Sequence, residues 1–208
     1  MSDNSSTSWV AQSHKTSSGL DSACSAAVTY VEDSIPPSVP ELIFSPASPS
    51  SRTTTDLLLS GEPGSRILVF RSADCQSRAI GTYPPKSKVP MTVIANSTTI
   101  FSILAVDAAG NRSTCSQNYS YICDTMAPVV SNLAATDGRN GTKVTFSVTD
   151  NLTTWNAYCS LDGGKAAICK SGQFFSASIG RHTMSVYAID AVGNHSTAVV
   201  ARFVVVPF

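Results

Sequence analysis

Long apolar segments and an excess of charge of either sign are both missing from this 208-residue sequence. No run approaches the roughly 20 apolar residues that a membrane-spanning helix requires. Charged residues make up only 13% of the chain, and 14 basic side chains balance 14 acidic ones. A protein that binds nucleic acid through electrostatics concentrates Lys and Arg on one face. The composition therefore argues against membrane insertion and against a nucleic-acid partner.

The spacings that identify common catalytic and metal sites are absent as well. The sequence contains no G-x-S-x-G, H-E-x-x-H, P-loop or C-x-x-C motif. The three histidines, His14, His182 and His195, are scattered, and His182 and His195 are interpreted as surface residues. Asp150 follows an apolar run and is interpreted as a turn residue. Because a catalytic site needs several groups in defined roles, we predict a non-enzymatic protein with no cofactor and no metal ion.

The residue types that build long helices are also sparse, whereas Ser, Thr, Ala and Val are abundant. The apolar segments are short and rich in β-branched residues, which favour strands. Turn-forming residues separate these segments at intervals of about 8–12 residues. This pattern predicts an all-β protein built from immunoglobulin-like β-sandwich domains.

One string occurs twice, as AVDAAGNRSTC at residues 105–115 and as AIDAVGNHSTA at residues 188–198. Before each copy, apolar residues alternate with other residues, at Phe101, Ile103 and Ala105 and at Met184, Val186 and Ala188. An alternation with period two is typical of a strand that turns one face to a core. The repeat therefore predicts equivalent strand-and-turn units.

A weaker third copy, without the Asp and the Asn, covers residues 9–37. Its Gly19, Ser22 and Cys24 correspond to Gly110, Ser113 and Cys115. Proline-containing joints, DSIPPSVP and DTMAPVV, separate the units. We predict three segments: the last hairpin of a truncated upstream repeat with a tail, at 1–34, and two immunoglobulin-like domains, at 35–125 and 126–208.

The repeated string itself is interpreted as a structural turn. The turn residues are Asp107, Gly110 and Asn111 in one copy and Asp190, Gly193 and Asn194 in the other. Glycine adopts positive φ without a Cβ penalty, and the aspartate can accept hydrogen bonds from the N–H groups of its own loop.

The alternative is a Ca²⁺ site, but calcium takes six to eight oxygen ligands, usually with several carboxylates. Each loop carries a single Asp, so a shared site would need Glu32, Asp33 or Asp124 from the joints.

The six cysteines predict two disulfides. Cys159 and Cys169 flank a turn that would bring two strands together. The second repeat has Ala198 where the first has Cys115, which favours a Cys75–Cys115 pair. Cys24 and Cys123 have no evident partner, and a bridge between them is the alternative. Paired cysteines imply an oxidising compartment, although MSDNSSTSW lacks the features of a signal peptide.

The pattern apolar–x–Ala–apolar–Asp–x–x–Gly–Asn–x–Ser, followed by a final strand and a D-x-x-x-P joint, resembles the bacterial immunoglobulin-like (Big-type) repeats of large cell-surface and adhesion proteins. YCSLDGGKAAIC (158–169) is similar to a segment of one branch of those repeats. The resemblance implies an extracellular stalk, spacer or adhesion module. It also implies further repeats of the same parent chain and a surface-protein or glycan ligand as partners.

A second interpretation keeps the fold and changes the role. Trp155 and Tyr158 could contact a sugar ring, which would make the chain an accessory carbohydrate- or protein-binding module of a secreted enzyme. A buried aromatic of the sandwich is the structural alternative for Trp155.

Overall fold

The computed structural model describes residues 4–207, and within that range the chain forms eighteen β-strands and no helix. The predicted all-β class is therefore confirmed. No segment of this range provides a helix long and apolar enough to cross a membrane.

Residues 4–34 form two short antiparallel strand pairs. Their strands are β1 (Ser6–Trp9), β2 (His14–Lys15), β3 (Leu20–Asp21) and β4 (Val28–Val31). β1 pairs with β4, and β2 pairs with β3 nearer the turn. All side chains of this segment are exposed or half-buried, including Trp9, Leu20 and Val28. Described residues 4–34 therefore bury no core of their own.

The following part of the chain contributes seven strands. They are β5 (Glu41–Ser45), β6 (Thr54–Ser60), β7 (Arg66–Phe70), β8 (Gly81–Tyr83), β9 (Lys88–Thr92), β10 (Ser97–Val106) and β11 (Tyr119–Cys123). They form a three-stranded sheet, β5-β6-β9, and a four-stranded sheet, β11-β10-β7-β8.

The last part again contributes seven strands. They are β12 (Val129–Ala135), β13 (Gly141–Thr149), β14 (Trp155–Leu161), β15 (Ala167–Cys169), β16 (Gln173–Ser176), β17 (Gly180–Asp190) and β18 (Val199–Val205). They form the sheets β12-β13-β16 and β15-β14-β17-β18.

Both sets of seven strands follow the same connectivity. The first, second and fifth strands form one sheet, and the fourth, third, sixth and seventh strands form the other. Antiparallel strands that cross between two sheets in this way are the arrangement of immunoglobulin-like β-sandwiches. The predicted fold class is confirmed at this level, and the domain boundaries 1–34, 35–125 and 126–208 stay a prediction.

Alternating side chains of β13, β14 and β17 build the core of the last seven strands. Val144 comes from one sheet, whereas Ala157, Met184 and Val186 come from the other. All four are buried, and together with their neighbours they form one continuous apolar cluster. This packing between two sheets follows from the period-two alternation of strands.

The strand β10 departs from simple alternation because both of its faces are covered. Phe101, Ile103 and Ala105 are completely buried, but Ser102 and Leu104 on the opposite face are buried as well. Leu104 packs against Phe70 and Cys75 in a small second cluster. The segment that carries Cys75 therefore covers the outer face of this strand.

Packing divides the chain into two compact units that interleave along the sequence. Leu58–Lys88 and Phe101–Tyr119 belong to the first unit, whereas Ile43–Leu57 and Val89–Ile100 belong to the second.

Candidate functional site: two turn corners and a carboxylate cluster

The first corner, residues 107–111, follows β10 and is closed by its own aspartate. Asp107 Oδ1 accepts a hydrogen bond from the Asn111 backbone N–H at 2.9 Å, and Oδ2 accepts one from Asn111 Nδ2 at 2.9 Å. The Asp107 N–H donates to the Asn111 carbonyl at 3.1 Å. Gly110 has a φ of 97°, which L-residues rarely adopt. The glycine is therefore required by the backbone of the turn.

The second corner, residues 190–194, repeats this geometry at the end of β17. Asp190 Oδ1 accepts the Asn194 backbone N–H at 2.8 Å, and Oδ2 accepts Asn194 Nδ2 at 2.7 Å. Gly193 has a φ of 90°. The structure thus places all six predicted turn residues in two equivalent turns.

The hydrogen bonds of the first corner favour the ionised form of Asp107. Burial of the carboxyl acts to raise its pKa, but hydrogen bonds from the Asn111 side chain and from the N–H groups of Asn111, Gly110 and Ala109 outweigh burial. The pKa of Asp107 consequently lies below its ordinary value of 3.8. The corner therefore stabilises the fold above that value, and this stabilisation is lost as the pH falls through the lowered pKa.

Each corner also binds the proline-containing joint that precedes its seven strands. Asn111 Nδ2 donates to the Asp33 carbonyl at 2.9 Å. Asn194 Nδ2 donates to the carbonyls of Asp124 and Met126, both at 3.1 Å. The asparagine amide of the motif is thus engaged by the backbone of the protein itself.

Serines next to the corners have a structural role that the sequence analysis did not assign. Ser113 Oγ accepts a hydrogen bond from the Ala105 N–H at 2.9 Å, and Ser196 Oγ accepts one from the Ala188 N–H at 2.8 Å. Ser22, the matching residue of the weak copy, accepts one from the Ser13 N–H at 3.0 Å. The three serines occupy the same position after the turn in all three copies of the repeat, and this shared position was the sequence signal for their structural role.

One disulfide joins two connecting segments, and the other joins two strands. Cys75 is bonded to Cys115 across a sequence separation of 40 residues, on the outer face of β10. Cys159 is bonded to Cys169 across 10 residues, between β14 and β15 in the core. Cys24 is an exposed free thiol and Cys123 a buried one. The alternative bridge between Cys24 and Cys123 is therefore not formed in this structure.

The two aromatic residues considered as ligand contacts do not form one platform. Trp155 and Tyr158 lie an odd number of positions apart in β14, so their side chains leave opposite faces of the strand. Trp155 is 41% exposed. Tyr158 is stacked on Tyr187 with ring centroids 5.2 Å apart, and Tyr187 in turn faces His195.

A cluster of three carboxylates, defined by Asp124, Asp150 and Asp190, lies beside the second corner. One oxygen atom of each residue lies within 4.8 Å of the others. Asp124 is completely buried, and Asp190 is 7% exposed. Carboxylate oxygens in this proximity can serve as ligands for a hard cation. The sequence analysis expected no metal ion and considered these residues separately, because they are far apart in the sequence.

Local hydrogen bonds hold the members of the carboxylate cluster in place. Asp150 Oδ1 accepts the N–H groups of Leu152 and Thr153, as expected for a turn residue, at 3.1 and 2.9 Å. Thr153 Oγ1 donates to Asp124 Oδ2 at 2.8 Å. Asp150 Oδ2, by contrast, is shielded from solvent and has no hydrogen-bond partner.

His182 is buried in this structure, so its interpretation as a surface residue is wrong. His182 lies near the start of β17 and is only 8% exposed, because its ring packs on that of Phe203. Its Nδ1 lies 2.7 Å from Asp162 Oδ2, and its Nε2 lies 2.7 Å from the Ser178 carbonyl oxygen. The hydrogen bond with Asp162, followed by that with Ser178, raises the pKa of His182 above 6.5. The same pair lowers the pKa of Asp162 below 3.8.

We expect the Asp162→Asn substitution to destabilise the protein in a pH-dependent manner. The raised pKa of His182 contributes stability that is fully present below pH 6.5 and is lost as the pH rises through the folded-state pKa. The lowered pKa of Asp162 contributes stability that is present above pH 3.8. The loss in urea midpoint should therefore be larger at about pH 5.5 than at about pH 8.5.

The exposed pair His14–Asp21, with an Nδ1–Oδ1 distance of 2.6 Å, supplies the control. Exposed ion pairs contribute little to stability, so Asp21→Asn should leave the midpoint nearly unchanged at both pH values. An equal loss for Asp162→Asn at the two pH values would contradict the charged pairing of His182.

No protein-family description matches this chain, and no curated protein does either. Among solved structures, the chain is similar to the fibronectin(III)-like modules of Clostridium thermocellum CbhA, with 17% identity and a TM-score of 0.45 over 79% of this chain and 94% of that chain.

It is also similar to the FN1–FN3 domains of chicken CNTN1, with 14% identity and a TM-score of 0.34 over 82% and 68% of the two chains. Drosophila N-cadherin EC1–3 gives 12% identity and a TM-score of 0.33 over 88% and 74%. The immunoglobulin-like assignment rests on the strand order of this chain.

Proposed function

We propose that this chain is a non-enzymatic segment of an extracellular bacterial surface protein. Its immunoglobulin-like modules act as a stalk or spacer and present their loop tips for adhesion to a surface protein or glycan. Further modules of the same parent chain adjoin it.

This proposal rests on the hydrogen bonds that the asparagine side chain of each corner makes within the fold. Asn111 Nδ2 has two N–H bonds, and Asp33 and Asp107 accept both of them. Asn194 Nδ2 is bound in the same way to Asp190 and to the joint carbonyl of Asp124. Since the amide donors are engaged within the fold, the repeated motif fastens a joint to a module and leaves no amide donor for a ligand.

The hairpin of residues 4–34 supports the proposed division into 1–34, 35–125 and 126–208. It repeats the serine-to-backbone hydrogen bond seen after each corner, through Ser22. Its strands expose Trp9, Val28 and Tyr30, whereas Tyr121, the counterpart of Tyr30 in the next repeat, is completely buried. We therefore propose that it is the last hairpin of an incomplete module.

The two disulfides support an extracellular location, because such bonds persist in oxidising compartments. We expect an antibody against this segment to label intact producing cells, and non-reducing mass spectrometry to find two disulfides and two free thiols. Labelling only after permeabilisation, with all cysteines reduced, would contradict the proposed location.

The exposed ring of Trp155 favours a second candidate, an accessory carbohydrate-binding module of a secreted enzyme. Exposed aromatic faces can stack on sugar rings through their apolar surface. A glycan array on which the chain binds saturably, and on which Trp155→Ala abolishes binding, would support this candidate. Absence of binding across the array would leave the spacer role as the better account.

A further inference from the structure

We infer that Asp124, Asp150 and Asp190 form a binding site for one Ca²⁺ ion. This inference goes beyond the spacer role and does not depend on it. The three residues follow or end different strands: Asp124 follows β11, Asp150 follows β13, and Asp190 ends β17. The ends of β13 and β17 and the joint that follows β11 bring the three carboxylates together.

The first argument is electrostatic. One oxygen of each carboxylate lies within 4.8 Å of the others, and Asp124 and Asp190 are at least nine-tenths buried. Three carboxylates this close repel one another, and the repulsion is stronger where water is excluded. A divalent cation among the three carboxylates would offset most of this repulsion.

The second argument is the unpartnered oxygen of Asp150. Its Oδ1 accepts two backbone N–H groups, but its Oδ2 is shielded from solvent and accepts no hydrogen bond. A buried acceptor without a partner destabilises a fold, and native structures contain few of them. Asp124 Oδ2 and Asp190 Oδ2, in contrast, have donors. A cation at the cluster would supply the missing partner of Asp150.

The chain contains a matched joint in which the site is incomplete. In the first corner Asn111 Nδ2 donates to the backbone carbonyl of Asp33, as Asn194 Nδ2 donates to that of Asp124 in the second. However, Gly61 directly follows β6, whereas Asp150 directly follows the equivalent strand β13. Among the described residues no group of three carboxylates forms at the first corner, where Glu62 Oε2 instead accepts the Ser38 N–H. The corner geometry therefore does not require the carboxylate of Asp150.

The donor set favours Ca²⁺ over other common ions. All three side chains offer oxygen, and the hydroxyl oxygen of Thr153 lies 2.8 Å from Asp124 Oδ2. Ca²⁺ takes six to eight oxygens in variable geometry, whereas Mg²⁺ requires a regular octahedron and keeps several waters. Structural Zn²⁺ sites use Cys and His, and the cluster contains neither residue type.

Calorimetric titration of Ca²⁺ into the chelator-treated full chain tests the site, together with thermal unfolding in Ca²⁺ and in chelator. We expect one Ca²⁺ per chain and a higher melting temperature in Ca²⁺. Asp150→Asn should weaken binding at least about tenfold, because it removes one anionic ligand. In chelator this variant should unfold at the wild-type temperature or above it, since Asn keeps the Oδ1 acceptor and removes a repelling charge.

Asp33→Asn, at the joint without a third carboxylate, is the matched control and should bind Ca²⁺ like the wild type. No heat and no melting shift with Ca²⁺ would overturn the site, and so would unchanged affinity in Asp150→Asn. An equal shift with Mg²⁺ would overturn the assignment to Ca²⁺. A lower melting temperature of Asp150→Asn in chelator, with the Ca²⁺ shift intact, would assign Asp150 a purely structural role.

Discussion

Replacing Cys75 and Cys115 together with alanine lowers the free energy of unfolding by about 4 kcal/mol in the chain-entropy account of cross-links. The bond closes a segment with a sequence separation of 40 residues, so its loss returns much conformational freedom to the unfolded chain. It also frees the segment that covers Leu104 and Phe70 on the outer face of β10. Urea unfolding followed by fluorescence measures the loss.

The second disulfide provides an internal comparison for this result. Cys159 and Cys169 are separated by 10 residues, so their joint replacement should cost about 3 kcal/mol. Both cysteines of that pair are buried, as Cys75 is, which makes the packing changes similar in kind. A larger loss for the Cys159–Cys169 pair than for the Cys75–Cys115 pair would contradict the loop-length explanation.

Ser113→Ala is expected to lower the free energy of unfolding by about 2 kcal/mol, because a buried N–H group loses its acceptor. Ala105 is completely buried and donates its N–H to Ser113 Oγ at 2.9 Å. Ser113 is itself 8% exposed, so water has little access to replace the hydroxyl. Chemical denaturation of the variant and the wild type measures the difference.

Two serines that make a corresponding hydrogen bond but are more exposed to solvent supply the controls for Ser113. Ser196 is half-buried and Ser22 is exposed, and each accepts a backbone N–H in the equivalent place. The loss should decrease from Ser113→Ala through Ser196→Ala to Ser22→Ala as water replaces the hydroxyl more easily. Equal losses in the three variants would show that burial does not decide the effect.

Local patterns in the sequence were sufficient to predict the two corners and the strand that precedes each of them. The alternation at Phe101, Ile103 and Ala105 indicated a core-facing strand, and all three residues are completely buried. Asp-x-x-Gly-Asn indicated a tight turn because glycine tolerates positive φ, as Gly110 shows with a φ of 97°. These features depend on residues close together in the chain.

Features that depend on strand order could not be predicted in the same way. Asp124, Asp150 and Asp190 come together only because the joint after β11 lies beside the ends of β13 and β17. That Trp155 and Tyr158 lie on opposite faces of one strand could be recognised only once the bounds of β14 were known. The burial of His182 depends on its packing against Phe203, which is distant in the sequence. These contacts join residues that are far apart in the chain, so no local sequence pattern indicates them.

Hydrogen exchange at the backbone amides of Asn111 and Asn194 tests most directly whether the repeated corner has a structural role. Both amides donate to an aspartate of their own corner, so both should exchange far more slowly than in an unstructured peptide. In Asp107→Ala, the Asn111 amide should exchange at least about tenfold faster, while the Asn194 amide stays protected and the melting temperature falls. Peptide-like exchange at both amides in the wild type, with a melting temperature unaffected by Asp107→Ala, would contradict the account.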